Sequence, residues 1–348
     1  MSLAEYLHAL KNHKGFAGDI VCHRILPGRE PEFSKEDGSL PARLYSLCKR
    51  MGIDHLYRHQ QQAVERILQG HHTVISTPTA SGKSLVYNLP VMEALLENPC
   101  SRALYLFPLK ALARDQLESV RTCLEAARKE YSQQRWFSAE VYDGDVTSHH
   151  KSRIRHNPPN IVMSNPEMLH MAMLAHHHLW KEFFSNLKYV VVDEVHTYRG
   201  VMGSNMAWVF RRLKRVCAHY GANPTFVFCS ATIANPAELA GELTGLPVKV
   251  VDQSTAGAGK KNVILMKGLN GAAGTAIDLL HAAAHRGLRT IVYAQSRKIT
   301  ELIAIWASRR AGKLSEKISA YRAGFLPEER REIERRLASG DTLAVVST

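Results

Sequence analysis

The sequence predicts an α/β protein in which a parallel β-sheet is flanked by helices. Between about residues 53 and 252, short apolar runs alternate with helix-like segments such as 111–129 and 204–219. That alternation is typical of parallel strands joined by helical crossovers. The runs are rich in Val, Ile and Phe and lack polar alternation, as strands covered on both faces do. The strand candidates are Val74–Ser76, Ala103–Phe107, Ala139–Tyr142, Ile161–Ser164, Tyr189–Val192, Thr225–Cys229 and Val248–Val251.

One strand candidate leads into a loop of the phosphate-binding kind, Thr77–Ser84, which a helix-like segment follows. Backbone N–H groups in such a loop, with the positive end of the helix dipole, bind phosphate oxygens. Lys83 can reach the β- and γ-phosphates of a nucleotide, and the Ser84 hydroxyl can ligate Mg²⁺. Thr77 replaces the first glycine of the general pattern, and a chance Gly-Lys-Ser at a helix start is the alternative. The predicted nucleotide contacts are Thr79, Ala80, Ser81, Gly82, Lys83 and Ser84.

A second strand candidate, Tyr189–Val192, ends in the adjacent carboxylates Asp193 and Glu194. Because the carboxyl ends of parallel strands share one edge of the sheet, we expect both carboxylates to face the loop. Asp193 would hold Mg²⁺, and Glu194 would orient and deprotonate the attacking water. Together with Lys83 these are the predicted catalytic residues of a nucleoside triphosphate hydrolase. The alternative is an acidic cap at the start of a helix.

Composition and charge narrow the class of protein. The 348-residue chain has a formal net charge of +13 and a pI of about 9.5. This charge favours a polyanionic partner, nucleic acid rather than membrane. The six cysteines are scattered without a Cys-x-x-Cys pair, which argues against a zinc site and a disulfide framework and fits a reducing compartment. With no signal peptide and no apolar run near ~18 residues, we expect a soluble, cytoplasmic protein, associated with the nucleoid in a bacterium.

The rest of the chain is predicted to form an N-terminal arm and a second domain. Residues 1–52 hold two helix-like stretches around a Pro/Gly/Glu-rich loop, and we expect an arm packed on the first domain, residues 53–252. Residues 253–261 are small and predict a flexible linker. Residues 262–348 show the same alternation and end directly after an apolar strand, so we expect a chain cut off within a second domain. Its strand candidates are Val263–Met266, Thr290–Ala294, Ile318–Tyr321 and Leu343–Val346.

The segment Asp193-Glu194-Val195-His196 resembles the box of superfamily-two helicases and translocases, and further segments resemble motifs of that family in its order. Tyr57-Arg58-His59-Gln60 resembles the segment that reads adenine. The resemblance implies that Tyr57, Arg58 and Gln60 bind ATP, with Gln60 as the contact to the base.

Other segments resemble the coupling and nucleic-acid motifs of the family. Ser230-Ala231-Thr232 resembles the motif that couples hydrolysis to strand movement. A neutral His196 could relay between the carboxylates and Ser230 or Thr232; the alternative is a hydrogen-bonded structural histidine. Four further segments resemble the family's motifs that contact the nucleic-acid strand: Phe107–Gln116, Ser164–His170, Thr290–Lys298 and Tyr321–Gly324. The contacts implied within them are Pro108, Lys110, Arg114, Asn165, Pro166, Ser296, Arg297 and Arg322.

Within the superfamily, the sequence most resembles the branch of the bacterial mitomycin repair helicase and the fungal RecQ-four-like helicases. The resemblance implies a RecA-like domain followed by a partial second one, in an ATP-dependent 3′-to-5′ DNA helicase of DNA repair. Family members continue past Ser347-Thr348 and there supply an arginine motif that completes the ATP site, and a cysteine cluster. The chain alone is therefore expected to bind ATP and Mg²⁺, to hydrolyse ATP weakly and not to unwind DNA.

The expected partner is single-stranded or tailed DNA, bound by a monomer. Residues 260–348 are denser in Lys and Arg than the rest, which fits phosphate contacts along a groove. The ATP-site motifs do not separate DNA from RNA, so a DExH RNA helicase stays open. A non-catalytic module that binds ATP and nucleic acid also stays open, because the arginine motif is not among these residues.

Overall fold

The computed structural model describes residues 3–35, 38–131, 137–268 and 271–348. The chain divides into two compact units. The large unit is Arg29–Gly259, and the small unit combines Met1–Gly28 with Lys260–Thr348. None of the helices in the described part of the chain combines the length and the apolar character needed to span a bilayer.

The elements alternate along the chain as the pattern predicted. The strands are β1 Ile20–Leu26, β2 Thr73–Ser76, β3 Arg102–Leu106, β4 Ala139–Val141, β5 Ile161–Ser164, β6 Leu187–Val192, β7 Thr225–Ser230, β8 Lys249–Val251, β9 Lys261–Met266, β10 Thr290–Tyr293, β11 Ile318–Tyr321 and β12 Ala344–Ser347. The α-helices are α1 Leu3–Asn12, α2 Lys14–Ala17, α3 Ala42–Arg50, α4 Arg58–Leu68, α5 Lys83–Glu97, α6 Lys110–Tyr131, α7 Ser148–His156, α8 Pro166–Met168, α9 Lys181–Ser185, α10 Gly200–His219, α11 Pro236–Thr244, α12 Ala272–Ala284, α13 Arg297–Arg310 and α14 Pro327–Ser339.

The large unit is built on a seven-stranded sheet in the order β4-β5-β3-β6-β7-β2-β8, parallel at every pairing. Successive residues of a strand point to opposite faces. Val74 accordingly belongs to one apolar core and Ile75 to the other. The helices α4, α5 and α6 contribute to the core that contains Ile75, and α10 and α11 contribute to the core that contains Val74. The predicted fold class, a parallel sheet flanked by helices, is confirmed.

The small unit contains two separate sheets. Strands β10, β12 and β11 form a parallel sheet in that order, and the central β12 is buried at Ala344–Val346. Helices α12 and α13 contribute Leu280 and Ile303 to the core beside it. Strands β1 and β9 form a two-stranded antiparallel sheet, with Leu26 opposite Lys261.

The N-terminal residues are divided between the units, whereas the sequence predicted a single arm over residues 1–52. Strand β1 finds its hydrogen-bonding partner β9 in the small unit. Helix α3 belongs to the large unit, where its Leu44 and Leu47 are fully buried. A local pattern does not reveal a pairing of this kind, because the two strands lie far apart in sequence.

The predicted flexible linker, residues 253–261, is hydrogen-bonded to another part of the chain. Arg29 and Ala258 exchange two backbone hydrogen bonds of 2.8 Å each, and the Glu32 N–H donates to the Thr255 carbonyl at 2.9 Å. Small residues permit this approach: a Cβ on Gly257 would lie 3.3 Å from Cδ of Pro31. The composition that suggested flexibility therefore serves close packing.

Candidate functional site

The predicted phosphate loop joins β2 to α5 at the carboxyl edge of the sheet. Gly82, the last loop residue before α5 begins, has φ +75°, a left-handed conformation that favours glycine. The Thr77 and Ser81 hydroxyls are 2.7 Å apart and hold the two sides of the loop together. The Lys83 ammonium donates to the carbonyls of Thr77 and Pro78, at 2.9 Å each. Helix α5 directs its N-terminus at this loop, so the positive helix end and Lys83 favour an anion here.

Gln60, the predicted contact to adenine, is engaged within the protein. Its Oε1 accepts the Tyr57 N–H at 2.9 Å, and its Nε2 donates to the Gly82 carbonyl at 3.0 Å. A Cβ on Gly82 would lie only 2.3 Å from that Nε2. The residue pair therefore fixes the distance between the start of α4 and the phosphate loop.

A cavity of about 650 Å³ opens beside the loop, lined by Tyr57, Gln60, Gly82 and Ser84 among others. Phe33, which sequence reasoning did not select, also lines it and stacks on Tyr57 with ring centroids 5.4 Å apart. This size and aromatic lining suit a planar heterocycle. Arg58 is not among the lining residues; its side chain is 76% exposed and lies 3.9 Å from Glu32.

The two predicted catalytic carboxylates follow β6 directly. The Asp193 N–H donates to the Leu106 carbonyl, and Asp193 Oδ1 accepts the Glu194 N–H, both at 2.9 Å. Burial raises the pKa of Asp193 to about 6; the neighbouring Glu194 carboxylate also raises it, and the Lys83 ammonium opposes the rise. Lys83 of the loop and Asp193 at the strand end thus interact electrostatically. A half-buried carboxylate next to a hydroxyl-bearing loop fits the hard-oxygen preference of Mg²⁺.

Glu194 and His196 are placed by an unusual backbone. Glu194 has φ +50°, a left-handed conformation that costs free energy for a side chain other than glycine. Its carboxylate oxygen Oε2 lies 3.3 Å from His196 Nδ1, and the same Nδ1 lies 3.2 Å from the Ser230 hydroxyl. The structure therefore brings Glu194, His196 and Ser230 together, as the coupling hypothesis requires.

Thr232 lies apart from that triad. It lines a separate cleft with Pro78 and His59. The segment that contains it is held by Ser76, whose hydroxyl donates to the Ala231 carbonyl at 3.1 Å and accepts the Ile233 N–H at 3.2 Å. This segment therefore contacts Ser76, the last residue of the strand that leads into the phosphate loop.

Lys110 and Arg114, two predicted nucleic-acid contacts, share one counter-ion that sequence reasoning missed. Asp145 accepts from Lys110 Nζ at 2.6 Å and from Arg114 at 3.1 Å. The hydrogen bond from Lys110, with the charges of both cations, lowers the pKa of Asp145. The buried Asp143 orients it by accepting the Asp145 N–H at 2.9 Å. The sequence feature that could have indicated this counter-ion is the Asp-Gly-Asp segment at residues 143–145, which follows the parallel strand β4.

The remaining predicted contacts in the large unit shape loops at the same sheet edge. Asn165 caps α8, because its Oδ1 accepts the Met168 N–H at 2.8 Å, and Pro166 is the first residue of that helix. Pro108 lies two residues after the end of β3. These residues lie at the carboxyl ends of β5 and β3, which are adjacent in the sheet.

The predicted contacts of the small unit follow its parallel strands β10 and β11. Ser296 caps α13 by accepting the Ile299 N–H at 3.3 Å, and Arg297, exposed, begins that helix. Arg322 donates to Glu301 at 2.7 Å through Nε and lies over the Phe325 ring, 4.9 Å from its centroid. Its charge is therefore already paired with a carboxylate.

The fold and the site define a P-loop nucleotide-binding protein: a parallel sheet whose carboxyl edge joins a Gly-Lys-Ser loop to an Asp-Glu pair. Residues 57–239, more than half of the chain, match the DEAD/DEAH box helicase family. The chain belongs to that family, and the resemblance inferred from the motifs is confirmed.

Known relatives agree with this assignment. The ATP-dependent helicase YprA of Bacillus subtilis is 41% identical over the whole chain, which covers 46% of YprA. The ATP-dependent helicase hrq1 of Schizosaccharomyces pombe is 31% identical over the whole chain, which covers 34% of that protein. The chain thus spans about half or less of the length of these relatives.

Solved structures give the same result. The crystal structure of the DUF1998 helicase MrfA bound to DNA and AMPPNP superposes with a TM-score of 0.90 at 39% identity, over the whole chain and 48% of MrfA. The structure of Mss116p bound to ssRNA and AMP-PNP, at 15% identity and a TM-score of 0.69, shares the fold alone.

Proposed function

We propose that this chain is the ATP-dependent motor segment of a DNA helicase, in which hydrolysis of ATP is coupled to the movement of a single strand. The observation that carries the proposal is the meeting of three groups at one sheet edge. They are the Lys83 loop, the half-buried Asp193 with Glu194, and the His196–Ser230 contact. Translocation with 3′-to-5′ polarity, a role in DNA repair and a monomeric state belong to the same proposal.

In this mechanism the loop amides and Lys83 bind the ATP phosphates. The Lys83 ammonium exchanges the Thr77 and Pro78 carbonyls, which it now contacts, for phosphate oxygens of higher negative charge. Ser84 and Asp193 would hold Mg²⁺, which when bound neutralises phosphate charge. Glu194 accepts the proton of the attacking water. Thr79, Ala80 and Ser81 contribute backbone N–H groups to the same cradle.

His196 would report the state of the ATP site to the neighbouring strand. Its ring contacts the Glu194 carboxylate and the Ser230 hydroxyl at similar distances. A change in charge at Glu194 during hydrolysis alters which of the two the imidazole prefers. Ser230 ends β7, which lies between the loop strand and the carboxylate strand. Thr232, on the following segment, extends this path toward Pro78.

The nucleic-acid strand would lie across the carboxyl edge, where Pro108, Lys110, Arg114, Asn165 and Pro166 lie. In the small unit the corresponding residues are Ser296, Arg297 and Arg322. Lysine and arginine contacts to phosphates position a strand without reading its sequence. DNA is favoured over RNA because MrfA, at 39% identity, is described with bound DNA.

Equilibrium binding to the purified chain tests the proposal. Fluorescent AMPPNP should bind in the presence of Mg²⁺, and Lys83→Ala should weaken binding about tenfold or more, since a charge-assisted hydrogen bond contributes about 1.5–3 kcal/mol. Lys188→Ala, which changes an exposed lysine elsewhere on the large unit, is the matched control. Unchanged affinity in Lys83→Ala would refute the nucleotide site. Tighter binding of single-stranded RNA than of DNA would move the proposal to an RNA helicase.

A further inference from the structure

The chain passes between the units at residues 28–29 and 259–260, and the segments next to these two passages in the large unit are hydrogen-bonded to each other. On the large-unit side, Arg29 and Ala258 exchange backbone hydrogen bonds, and Arg29 also donates from its guanidinium to the Ala256 carbonyl at 2.8 Å. We name residues 29–32 and 254–258 the connecting ribbon. In the small unit the same two segments continue as the antiparallel pair β1 and β9. The connecting ribbon itself belongs to the large unit, and it lies directly beside both passages of the chain.

His59 joins this ribbon to the phosphate loop. Its Nε2 lies 3.1 Å from the Ser81 carbonyl, and its Nδ1 lies 2.9 Å from the Thr255 hydroxyl and 3.2 Å from the Thr255 nitrogen. The His59 backbone N–H donates to the same hydroxyl at 3.1 Å. One imidazole thus contacts the loop with one nitrogen and the ribbon with the other.

The hydrogen bonds assign the protonation state of this ring. A carbonyl can only accept, so Nε2 carries the proton and donates to Ser81. Nδ1 is then the acceptor for the Thr255 N–H and hydroxyl. Burial lowers the pKa of His59, and the nearby charges of Arg29 and Lys83 lower it further, while the Ser81 carbonyl opposes them. The ring is consequently neutral, with each nitrogen satisfied and only 2% of the residue exposed.

The backbone on both sides of Ser81 has a left-handed conformation, so the position of the Ser81 carbonyl depends on the conformation of the loop. Its hydroxyl pairs with Thr77, and the residue after it is Gly82 in a left-handed conformation. Its neighbour Ala80 also has a positive φ, of 61°. A loop held in this way rearranges by discrete changes of backbone conformation, and such a change moves the Ser81 carbonyl that His59 contacts.

We propose that His59 is a positioning residue that transmits the nucleotide state of the phosphate loop to the connecting ribbon through its contacts with Ser81 and Thr255. This inference rests on the proposed binding of ATP at the loop. Its consequence is reciprocal: ordering the ribbon favours one loop state, and ordering the loop favours one ribbon state. The alternative is that His59 is only a buried structural tie.

Two substitutions of His59 test its contact with Ser81 and its contact with Thr255 separately. The amide of His59→Gln reaches the position of Nε2 and retains the bond to Ser81, whereas the amide of His59→Asn reaches the position of Nδ1 and retains the bond to Thr255. Both are neutral and both break the path between loop and ribbon. Thr255→Val removes the hydroxyl that contacts Nδ1 but keeps the Thr255 backbone N–H and leaves His59 in place, so it weakens the ribbon side of the contact. Gln62→Ala, an exposed change on the same helix α4, is the control.

Amide hydrogen exchange on the full chain, with and without AMPPNP and Mg²⁺, is the test. Peptides that cover 77–85 report the loop, and peptides that cover 252–259 report the ribbon, whose Thr255 and Ala258 amides are hydrogen-bonded. In the wild type and in Gln62→Ala, nucleotide should slow exchange in both, by about fivefold or more at the ribbon. In all three variants the loop should still respond. The ribbon response should be lost in both His59 variants and reduced in Thr255→Val, which keeps the bond from the Thr255 N–H to Nδ1.

The outcomes distinguish the inference from the proposed function. A ribbon response in His59→Gln and His59→Asn equal to that of the wild type overturns the inference. A wild-type loop that responds while the ribbon does not also overturns it and leaves the ATP site intact. A wild-type loop that does not respond refutes ATP binding, and the inference fails with it. Thermal denaturation without nucleotide identifies a variant that has not folded. If the His59 variants do not fold, a ribbon response in Thr255→Val equal to that of the wild type overturns the inference.

Discussion

Replacing Asp145 by asparagine should increase the affinity of the chain for single-stranded DNA. Asp145 now neutralises Lys110 and Arg114, so a DNA phosphate that binds these cations has to displace its carboxylate. The Asp145→Asn variant keeps the shape of the side chain and removes the competing charge. Lys110 then loses this carboxylate partner, and Arg114 keeps only the longer, 4.0 Å approach to Asp143, so both cations bind a phosphate more readily.

The size of the expected change in DNA affinity follows from how exposed the two ion pairs of Asp145 are. The side chains of Asp145, Lys110 and Arg114 are 42%, 46% and 38% exposed. Exposed ion pairs contribute about 0.2–1 kcal/mol each, so the two together oppose phosphate binding by about 0.4–2 kcal/mol. This corresponds to a decrease in Kd of about two- to thirtyfold.

The assay is fluorescence anisotropy with a labelled single strand at several salt concentrations. Glu118→Gln is the matched control, because it removes one negative charge from an exposed ion pair with Arg121 on the same helix α6. The advantage of Asp145→Asn over this control should shrink as salt rises, since salt screens the exposed pairs. A Kd for Asp145→Asn that is unchanged relative to Glu118→Gln, or higher, would show that Asp145 orients the two cations rather than competing for them.

Three further changes test the structure. Gly82→Ala should weaken AMPPNP binding and lower the melting temperature, because it places a Cβ at positive φ and 2.3 Å from Gln60 Nε2. Arg43→Ala should lower the free energy of unfolding by about 3 kcal/mol, since it leaves the buried Glu93 carboxylate unpaired. Burial and nearby cations lower the pKa of His72 in the folded chain below its ordinary value of 6.5. The unfolded chain therefore binds the proton more tightly, and the free energy of unfolding should decrease as the pH falls below 6.5. His72→Asn should flatten the curve measured by thermal denaturation between about pH 7.5 and 5.5.

Each of these predictions has its own control. Gly221 has φ +79° with open space around it, so Gly221→Ala measures the backbone cost of a Cβ at positive φ without a steric clash. If Gly82→Ala and Gly221→Ala lower the melting temperature equally, the clash with Gln60 is not the cause. The double change Arg43→Ala with Glu93→Gln should regain much of the lost stability, and strict additivity would contradict the ion-pair argument. A pH profile of His72→Asn that matches the wild type would assign the acid sensitivity to other groups.

Local patterns were sufficient for the framework of the large unit. Short apolar runs predicted the strands of the parallel sheet, because a strand covered on both faces excludes polar residues along its length. The loop ending in Gly82-Lys83-Ser84 and the carboxylates Asp193 and Glu194 were also predictable, since their chemistry depends on neighbouring residues in the chain. The shared edge then followed from the parallel arrangement.

The tertiary structure alone decided how those residues are used. It paired Lys110 and Arg114 with Asp145, divided residues 1–52 between two units, and joined His59 to Thr255. Each result depends on hydrogen bonds or ion pairs between residues far apart in sequence, whose geometry is set by how the sheet and helices pack. Sequence by itself therefore determined which groups stand at the functional edge, and packing determined which partners hold them and through which contacts they can act on one another.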